Sequence, residues 1–211
     1  MKDDLKILKI AVTGSAGSGK SLVCNCFKTI GLVTLDCDVI ARQVVEPGTT
    51  GFAKVVALFG QKVVNKQGCL DRAGLRSIII DNPELRKKME SILHPLINRE
   101  MVFQMENAEY KRKKAVAVEV PLLFECGLKE CFDTTITVLS EDRDLVERIC
   151  KRDSVKKKDA LKMLDLQMSQ QDKISMADHV ITNKGDKSEL FGSVEYLFDK
   201  IQKEFKFKKN S

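Results

Sequence analysis

The chain is 211 residues long and 43% hydrophobic, enough for one well-packed domain or a compact core carrying insertions. Its 36 basic and 30 acidic side chains leave a formal charge of +6, a mild excess that suits a small polyanion and is too weak to argue for a nucleic-acid partner. Seven cysteines without a CxxC pair and only two histidines argue against a disulfide framework and a zinc site. No stretch approaches the roughly 18 apolar residues of a membrane span and MKDDLKILKI has no long apolar segment, so a cytoplasmic location and no membrane partner are expected.

Ile7, Leu8, Ile10, Ala11 and Val12 read as a buried strand. It runs into GSAGSGKS at 14–21, which fits G-x-x-x-x-G-K-[ST], the loop that wraps backbone amides around the phosphates of a nucleoside triphosphate. The glycines let the backbone turn back without a Cβ clash, successive amides form an anion nest, and the next helix brings its positive dipole end to the phosphates. Lys20 then reaches the β/γ-phosphates and the Ser21 hydroxyl ligates Mg²⁺. Gly14, Ala16, Gly17, Ser18, Gly19, Lys20, Ser21 and Leu22 are the candidate nucleotide contacts.

Residues 21–30 carry apolar side chains at helical spacing, and LVTLD at 32–36 reads as a second strand ended by Asp36 and Asp38. A helix is expected over 39–45, stopped by Glu46-Pro47-Gly48, and a turn at 65–68. Helices follow at 72–80, 83–93 and from 95 to about 113, with His94-Pro95 breaking the last two apart. AVAVEV at 115–120, TTITVL at 134–139 and HVIT at 179–182 read as strands. A charged helical stretch covers 141–177 and a closing helix 188–205. Strands alternating with helices predict an α/β fold whose parallel sheet is covered on both faces. The core comprises 1–48, 115–140 and 178–211, and 49–114 and 141–177 are insertions folding over the nucleotide. The basic runs at 111–114, 156–158 and 203–209 each read as a solvated face, connection or terminus.

Phosphoryl transfer asks for positioning, a metal, positive charge on the transferring group and one group aimed at the attacking oxygen. Asp36 and Asp38 stand at the end of a strand, where α/β sheets present ligands. Either they serve the chemistry, or Asp38 caps the following helix. Glu119, at the end of the third strand, either lies near Mg²⁺ or holds a basic residue in a structural pair. Arg148 and Arg152, spaced i, i+4, share a helix face that either grips phosphates or is solvated and paired with Glu147 or Asp153.

GSAGSGKS, LDCDVIARQVVEPG, LHPLI at 93–97, VPLLFE at 120–125, ERICKRD and ADHVITN, in that order from about residue 7 to 183, resemble the dephospho-CoA kinase family. The resemblance implies a P-loop kinase-like core, a helical domain at 49–114 holding the CoA precursor, and a lid at 141–177. It implies transfer of the ATP γ-phosphate to the ribose 3′-hydroxyl of dephospho-CoA, with Mg²⁺ accompanying ATP; a monomer is the expected state, with an oligomer left open. By position, Asp38 is the candidate base, Asp36 a metal-water or substrate contact, and Arg148 the lid arginine on the transferring phosphoryl. Asn183 falls on the adenine-side loop, and Arg42 and His94 on the substrate side, His94 having also a packing or capping role open to it. The family's loop usually reads GGIGSGKS, so Ser15 and Ala16 here replace Gly and Ile, Leu22 stands where Ser or Thr is common, and Cys37 replaces Ala. Two other readings compete: a small P-loop kinase for another hydroxyl metabolite, and a nucleotide switch or nucleic-acid-stimulated ATPase. The second lacks a guanine-specificity motif where one is needed, since NKGD at 183–186 stands misplaced before a helix.

Overall fold

The structure, a computed structural model, describes residues 7–80, 82–111 and 113–210, with the backbone alone for 208–210. The first six residues, on which the reading of the N-terminus rests, and Arg112 of the KRKK run lie outside the described residues. The chain divides into two compact units, one of residues 1–36 with 105–211 and the other of 37–104.

The first unit is built on five strands, β1 (Leu8–Thr13), β2 (Val33–Asp36), β3 (Ala115–Glu119), β4 (Thr134–Leu139) and β5 (His179–Thr182), all parallel and ordered β2-β3-β1-β4-β5. β1, flanked on both sides, is buried at every position but Lys9 and so carries Leu8, Ile10, Ala11 and Val12 with little regard to face. One face is covered by α1 (Lys20–Thr29) and α9 (Lys187–Asn210), which bring Val23, Phe27, Leu190, Val194, Phe198 and Ile201 onto Ile10, Val12, Ile136 and Val138. Phe27 meets Phe198 edge to face, with centroids 5.9 Å apart. Three helices occupy the stretch expected as one charged helical segment: α6 (Asp142–Asp153), α7 (Lys157–Asp165) and α8 (Gln170–Met176). Ser154 at φ 54° ends the first, and Ser169 caps the third by accepting from the Asp172 amide.

The chain leaves β1 toward β2 on one side and later builds β4 on the other. The connections therefore diverge at the carboxyl end of β1, the place where an open α/β sheet leaves a crevice for a ligand. The loop at 14–19 occupies that end.

The second unit contains α2 (Cys37–Gln43), α3 (Thr50–Phe59), α4 (Arg72–Ile80) and the greater part of α5 (Pro83–Tyr110). Val45, Val55, Phe59, Val63, Leu70 and Leu75 form its core. Its helices open on local caps: Thr49 Oγ1 accepts from the Phe52 amide, Asp71 Oδ1 from Gly74 and Asn82 Oδ1 from Leu85.

The break expected at His94-Pro95 is absent: α5 is one helix of 28 residues with Pro95 inside it. An interior proline removes a donor and crowds the preceding turn, at a cost of about 3 kcal/mol. Tertiary packing outweighs it. Leu85, Met89 and Leu93 before the proline pack on the unit's core, and after it Met101 Sδ lies 3.7 Å from Cys37 Sγ and Gln104 Nε2 donates to Gln43 Oε1 at 3.1 Å. Both halves are held along one axis by the same unit.

Candidate active site

At Gly14 and Gly19, as at Gly17, the loop tolerates no side chain. Gly14 has φ 142°, and a Cβ there would strike the Val138 carbonyl oxygen; Gly19 has φ 99°, and its Cβ would collide with the Asn183 amide nitrogen. Ser15, the position where this loop departs from the family's glycine, makes no such demand, because Ser154 is the only non-glycine with positive φ among the described residues. Gly19 also precedes α1, whose start has no side-chain cap and no acid in its first turn, leaving it suited to an anion. Lys20 is buried and folded back, its Nζ donating to the carbonyls of Gly14 and Ser15 at 3.1 Å each.

Three consecutive loop residues are each gripped by a side chain from far along the sequence. Gln167 Oε1 accepts from the Ala16 amide at 2.9 Å, Arg148 Nη1 donates to the Gly17 carbonyl at 3.2 Å, and Asn183 Nδ2 donates to the Ser18 carbonyl at 2.8 Å. Ser140 ties two of the three together, accepting from Arg148 Nη1 at 3.0 Å and donating to the Asn183 carbonyl at 3.1 Å. Gln170 bonds the Ser140 backbone on both its amide and carbonyl. Arg148 also pairs with Asp144 at 3.3 Å. Arg152, one turn on, is exposed and paired with Asp153, the surface arrangement that was one of its two readings. Ala16 packs with Val146, Ile149 and Ala160, so α6 and α7 lie directly on the loop.

At the start of α1, Ser21 Oγ donates to Glu119 Oε1 at 3.0 Å, and Asp36 stands in register with Glu119 at the ends of β2 and β3. The nearby Cys24 thiol reports the same cluster: burial pushes its pKa well up, the Glu119 and Asp36 carboxylates add to this, and Lys20 opposes it. Cys24 is thus held as a neutral thiol. No group of three or more metal-binding side chains occurs among the described residues. A hydroxyl beside one carboxylate fits Mg²⁺, which uses one or two protein oxygens and leaves the rest to phosphates and water.

The remaining candidates lie in the helical unit. α2 opens at Cys37, which places Asp38 inside its first turn and Asp36 just before it. Asp38 and Arg42 are both exposed and one turn apart on α2, and His94 is half-buried on α5. Asp38 therefore does not stand at the N-cap position of this helix.

Sequence reasoning missed Gln167, Ser140 and Gln170, each an ordinary polar residue in a polar stretch. It also gave no role to the pair formed by Lys173 and Glu125. Lys173 is fully buried, with Nζ 2.6 Å from Glu125 Oε1, which accepts from the Met168 amide as well. Burial raises the Glu125 pKa, but the Lys173 hydrogen bond, backbone amides and the lysine charge outweigh it and hold the carboxyl below its usual range. Glu125 closes the VPLLFE block, and its carboxylate ends a buried lysine; that spacing carries no sequence signature. Two cavities, of about 260 and 570 Å³, lie elsewhere, along β5 and α9. Phosphates are held by backbone on an open loop, which needs no deep hole.

A parallel sheet in the order β2-β3-β1-β4-β5, a glycine-turned loop at the carboxyl end of β1, and a buried lysine beside a serine–carboxylate pair define a P-loop phosphotransferase. A family model described as dephospho-CoA kinase matches residues 8–189. A dephospho-CoA kinase of Bacillus cereus is 36% identical over 176 residues, 83% of this chain and 88% of that protein. A dephospho-CoA kinase domain-containing protein of Danio rerio is 36% identical over 193 residues, 91% of this chain and 84% of its own. The solved dephospho-CoA kinase of Campylobacter jejuni superposes with a TM-score of 0.70 at 26% identity, covering 92% of this chain and 97% of that one. The chain belongs to the dephospho-CoA kinase family, ATP-dependent phosphotransferases with an alcohol acceptor.

Proposed function

We propose that the chain transfers the γ-phosphate of ATP to the ribose 3′-hydroxyl of dephospho-CoA, giving CoA and ADP, and that its two units divide the work. The helical stretch 49–114, most of which lies in the helical unit, binds the CoA precursor; residues 141–177 act as the lid. The observation that carries this reading is the Ser21–Glu119 hydrogen bond beside a loop whose lysine is already buried against it.

Amides of the 14–22 loop other than those of Ala16, Ser18 and Leu22, which donate to Gln167, Ser15 and Gly19, cradle the triphosphate, and Lys20 exchanges its bonds to the Gly14 and Ser15 carbonyls for phosphate oxygens. Ser21 and Glu119 hold Mg²⁺, which supplies positive charge to the phosphate oxygens. Asp36 supports that side of the site. Arg148 leaves the Gly17 carbonyl to meet the transferring phosphoryl, where a charge worth little in water is worth far more in a closed site. Asn183 supports the loop from the adenine side through Ser18. Asp38 orients the 3′-hydroxyl and takes its proton, and Arg42 and His94 contact the precursor.

The protein acts as a monomer in the cytoplasm; among the described residues no helix is long and apolar enough to cross a membrane. The test is incubation with ATP, Mg²⁺ and dephospho-CoA, reading CoA by mass. Formation of CoA with a requirement for Mg²⁺ is expected. Turnover of a small hydroxyl metabolite with none of dephospho-CoA would overturn the reading.

A further inference from the structure

The KRKK run and the lysine-rich tail stand far apart in the sequence, yet in the nucleotide-binding unit they meet at one end of the sheet. The Leu8 amide, at the start of β1, donates to the Lys114 carbonyl at 3.3 Å, and the Ile7 amide to Glu109 Oε1 on the last turn of α5. Ile201, Glu204 and Phe205 of α9 line, with Leu8 and Thr134, a cavity of about 260 Å³ under the starts of β1 and β4. The last turns of α5 and α9 thus flank the same strand starts.

Lys111, Lys113, Lys114, Lys203 and Lys206 are exposed there, and none forms an ion pair among the described residues. Several acids of this end are turned instead to the backbone. Glu109 accepts from Ile7, Asp133 Oδ2 from the Lys9 amide at 2.8 Å, and Asp178 Oδ2 from the Thr135 amide and hydroxyl at 2.8 Å each. These bonds satisfy strand-start amides; Asp178 Oδ1 also pairs with Lys129 and the exposed Glu204 with Lys200, so these acids offset the five lysines only in part. Two large rings stand among them: Tyr110 is 89% exposed and Phe207 75%, while Phe205 turns toward the core.

We propose that this end of the sheet is a docking surface for an anionic lipid bilayer. Lysines act as point charges toward a diffuse negative surface, each adding about fivefold to partitioning, and a tyrosine and a phenylalanine at the rim suit the headgroup region. The phosphate loop leaves the opposite, carboxyl end of β1, so the surface can be engaged while the loop stays open to ligand.

The experiment is flotation of the full chain with vesicles of phosphatidylcholine alone or mixed with phosphatidylglycerol. Binding to the anionic vesicles only, lost as salt is raised, is expected. Joint replacement of Lys114, Lys203 and Lys206 by Glu is expected to weaken it by more than ~10²-fold, the loss from removing the three positive charges alone. The same reversal at Lys156, Lys157 and Lys158, a run at the start of α7, should leave most of it. Phe207→Ser should lower binding severalfold at unchanged charge, and neither it nor the 114/203/206 variant should slow phosphorylation in free solution. No flotation with anionic vesicles at low salt, equal flotation with neutral ones, or equal loss in the 156–158 variant would overturn the proposal. So would an RNA oligonucleotide that binds more tightly than the vesicles and is lost in the 114/203/206 variant.

Discussion

The two units hold their candidate residues by opposite means. In the nucleotide-binding unit, Ala16, Gly17 and Ser18 are fastened by Gln167, Arg148 and Asn183, partners 151, 131 and 165 residues away in the chain. In the helical unit, Thr49, Asp71 and Asn82 each cap a helix three residues further on, and a single apolar cluster does the rest. A loop that must present backbone amides to phosphate can satisfy few of them within itself, as Ser18 does on Ser15, so much of its geometry is imposed from outside. A helix face that presents Asp38 and Arg42 needs only to be helical. The first arrangement is sensitive to remote substitutions; the second is sensitive mainly to changes in the presented side chains.

The largest expected effect tests the role on the transferring phosphoryl proposed for Arg148, the residue that grips Gly17. Arg148→Ala should lower kcat by ~10³ or more, with a smaller rise in KM for ATP, as for other arginines that meet a transferring phosphoryl. Steady-state kinetics with dephospho-CoA would check this, and an unchanged kcat would reduce Arg148 to a support for Gly17. Next comes the buried lysine of α8. Glu125→Ala strands the fully buried Lys173 ammonium and should cost about 3–5 kcal/mol, measured as a lower Tm. Since the Glu125 pKa is depressed in the fold, its contribution is present above the ordinary glutamate pKa and lost as pH falls through the folded value. Acid titration of Tm below about pH 4 should therefore be steeper for the unmodified chain than for Lys173→Ala. A flat profile in both would show that Glu125 does not sense the lysine.

Asp38→Asn addresses the helical unit. Removal of the carboxylate should lower kcat by ~10²-fold, toward the lower end for a general base because a loose transition state needs little proton removal. Tm and ATP affinity should hold, since the change removes only a charge near a helix N-terminus. Loss in Asp36→Asn with activity retained in Asp38→Asn would move the base into the other unit. The smallest effect is expected from Gln167→Ala, which leaves the Ala16 amide without its acceptor. A rise of about tenfold in KM for ATP with kcat little changed is expected, within the range for one unmet hydrogen bond, and Gln167→Glu should restore the acceptor but disfavour ATP by like charge. A fall in kcat alone would break the distinction drawn between grip and chemistry.

Much of the nucleotide side was legible because its signals are local. A glycine-rich loop between an apolar strand and an amphipathic helix needs no distant partner to be read, and the strands at 115–119, 134–139 and 179–182 announce themselves by β-branched runs bounded by polar turns. The order of blocks from GSAGSGKS to ADHVITN was enough to point to the family. Helix continuity across Pro95 was not legible, because the local cost of proline is visible in sequence while the packing of Leu93 and Met101 that outweighs it is not.

What the sequence determined by itself was therefore chemistry of fixed spacing: the phosphate loop, Lys20 and Ser21 within it, the acidic ends of two strands, and the alternation that demands a parallel sheet. Only the tertiary structure decided which side chains complete it. Strand order put Glu119 beside Ser21, chain reversal brought Gln167, Arg148 and Asn183 onto three successive loop residues, and the stacking of α5 and α9 on the strand starts gathered two lysine runs at one end. The physical reason is the same in each case. Hydrogen bonds and charges act over a few ångströms of space, and where residues this far apart in a chain come within that reach is set by how the sheet and its helices pack.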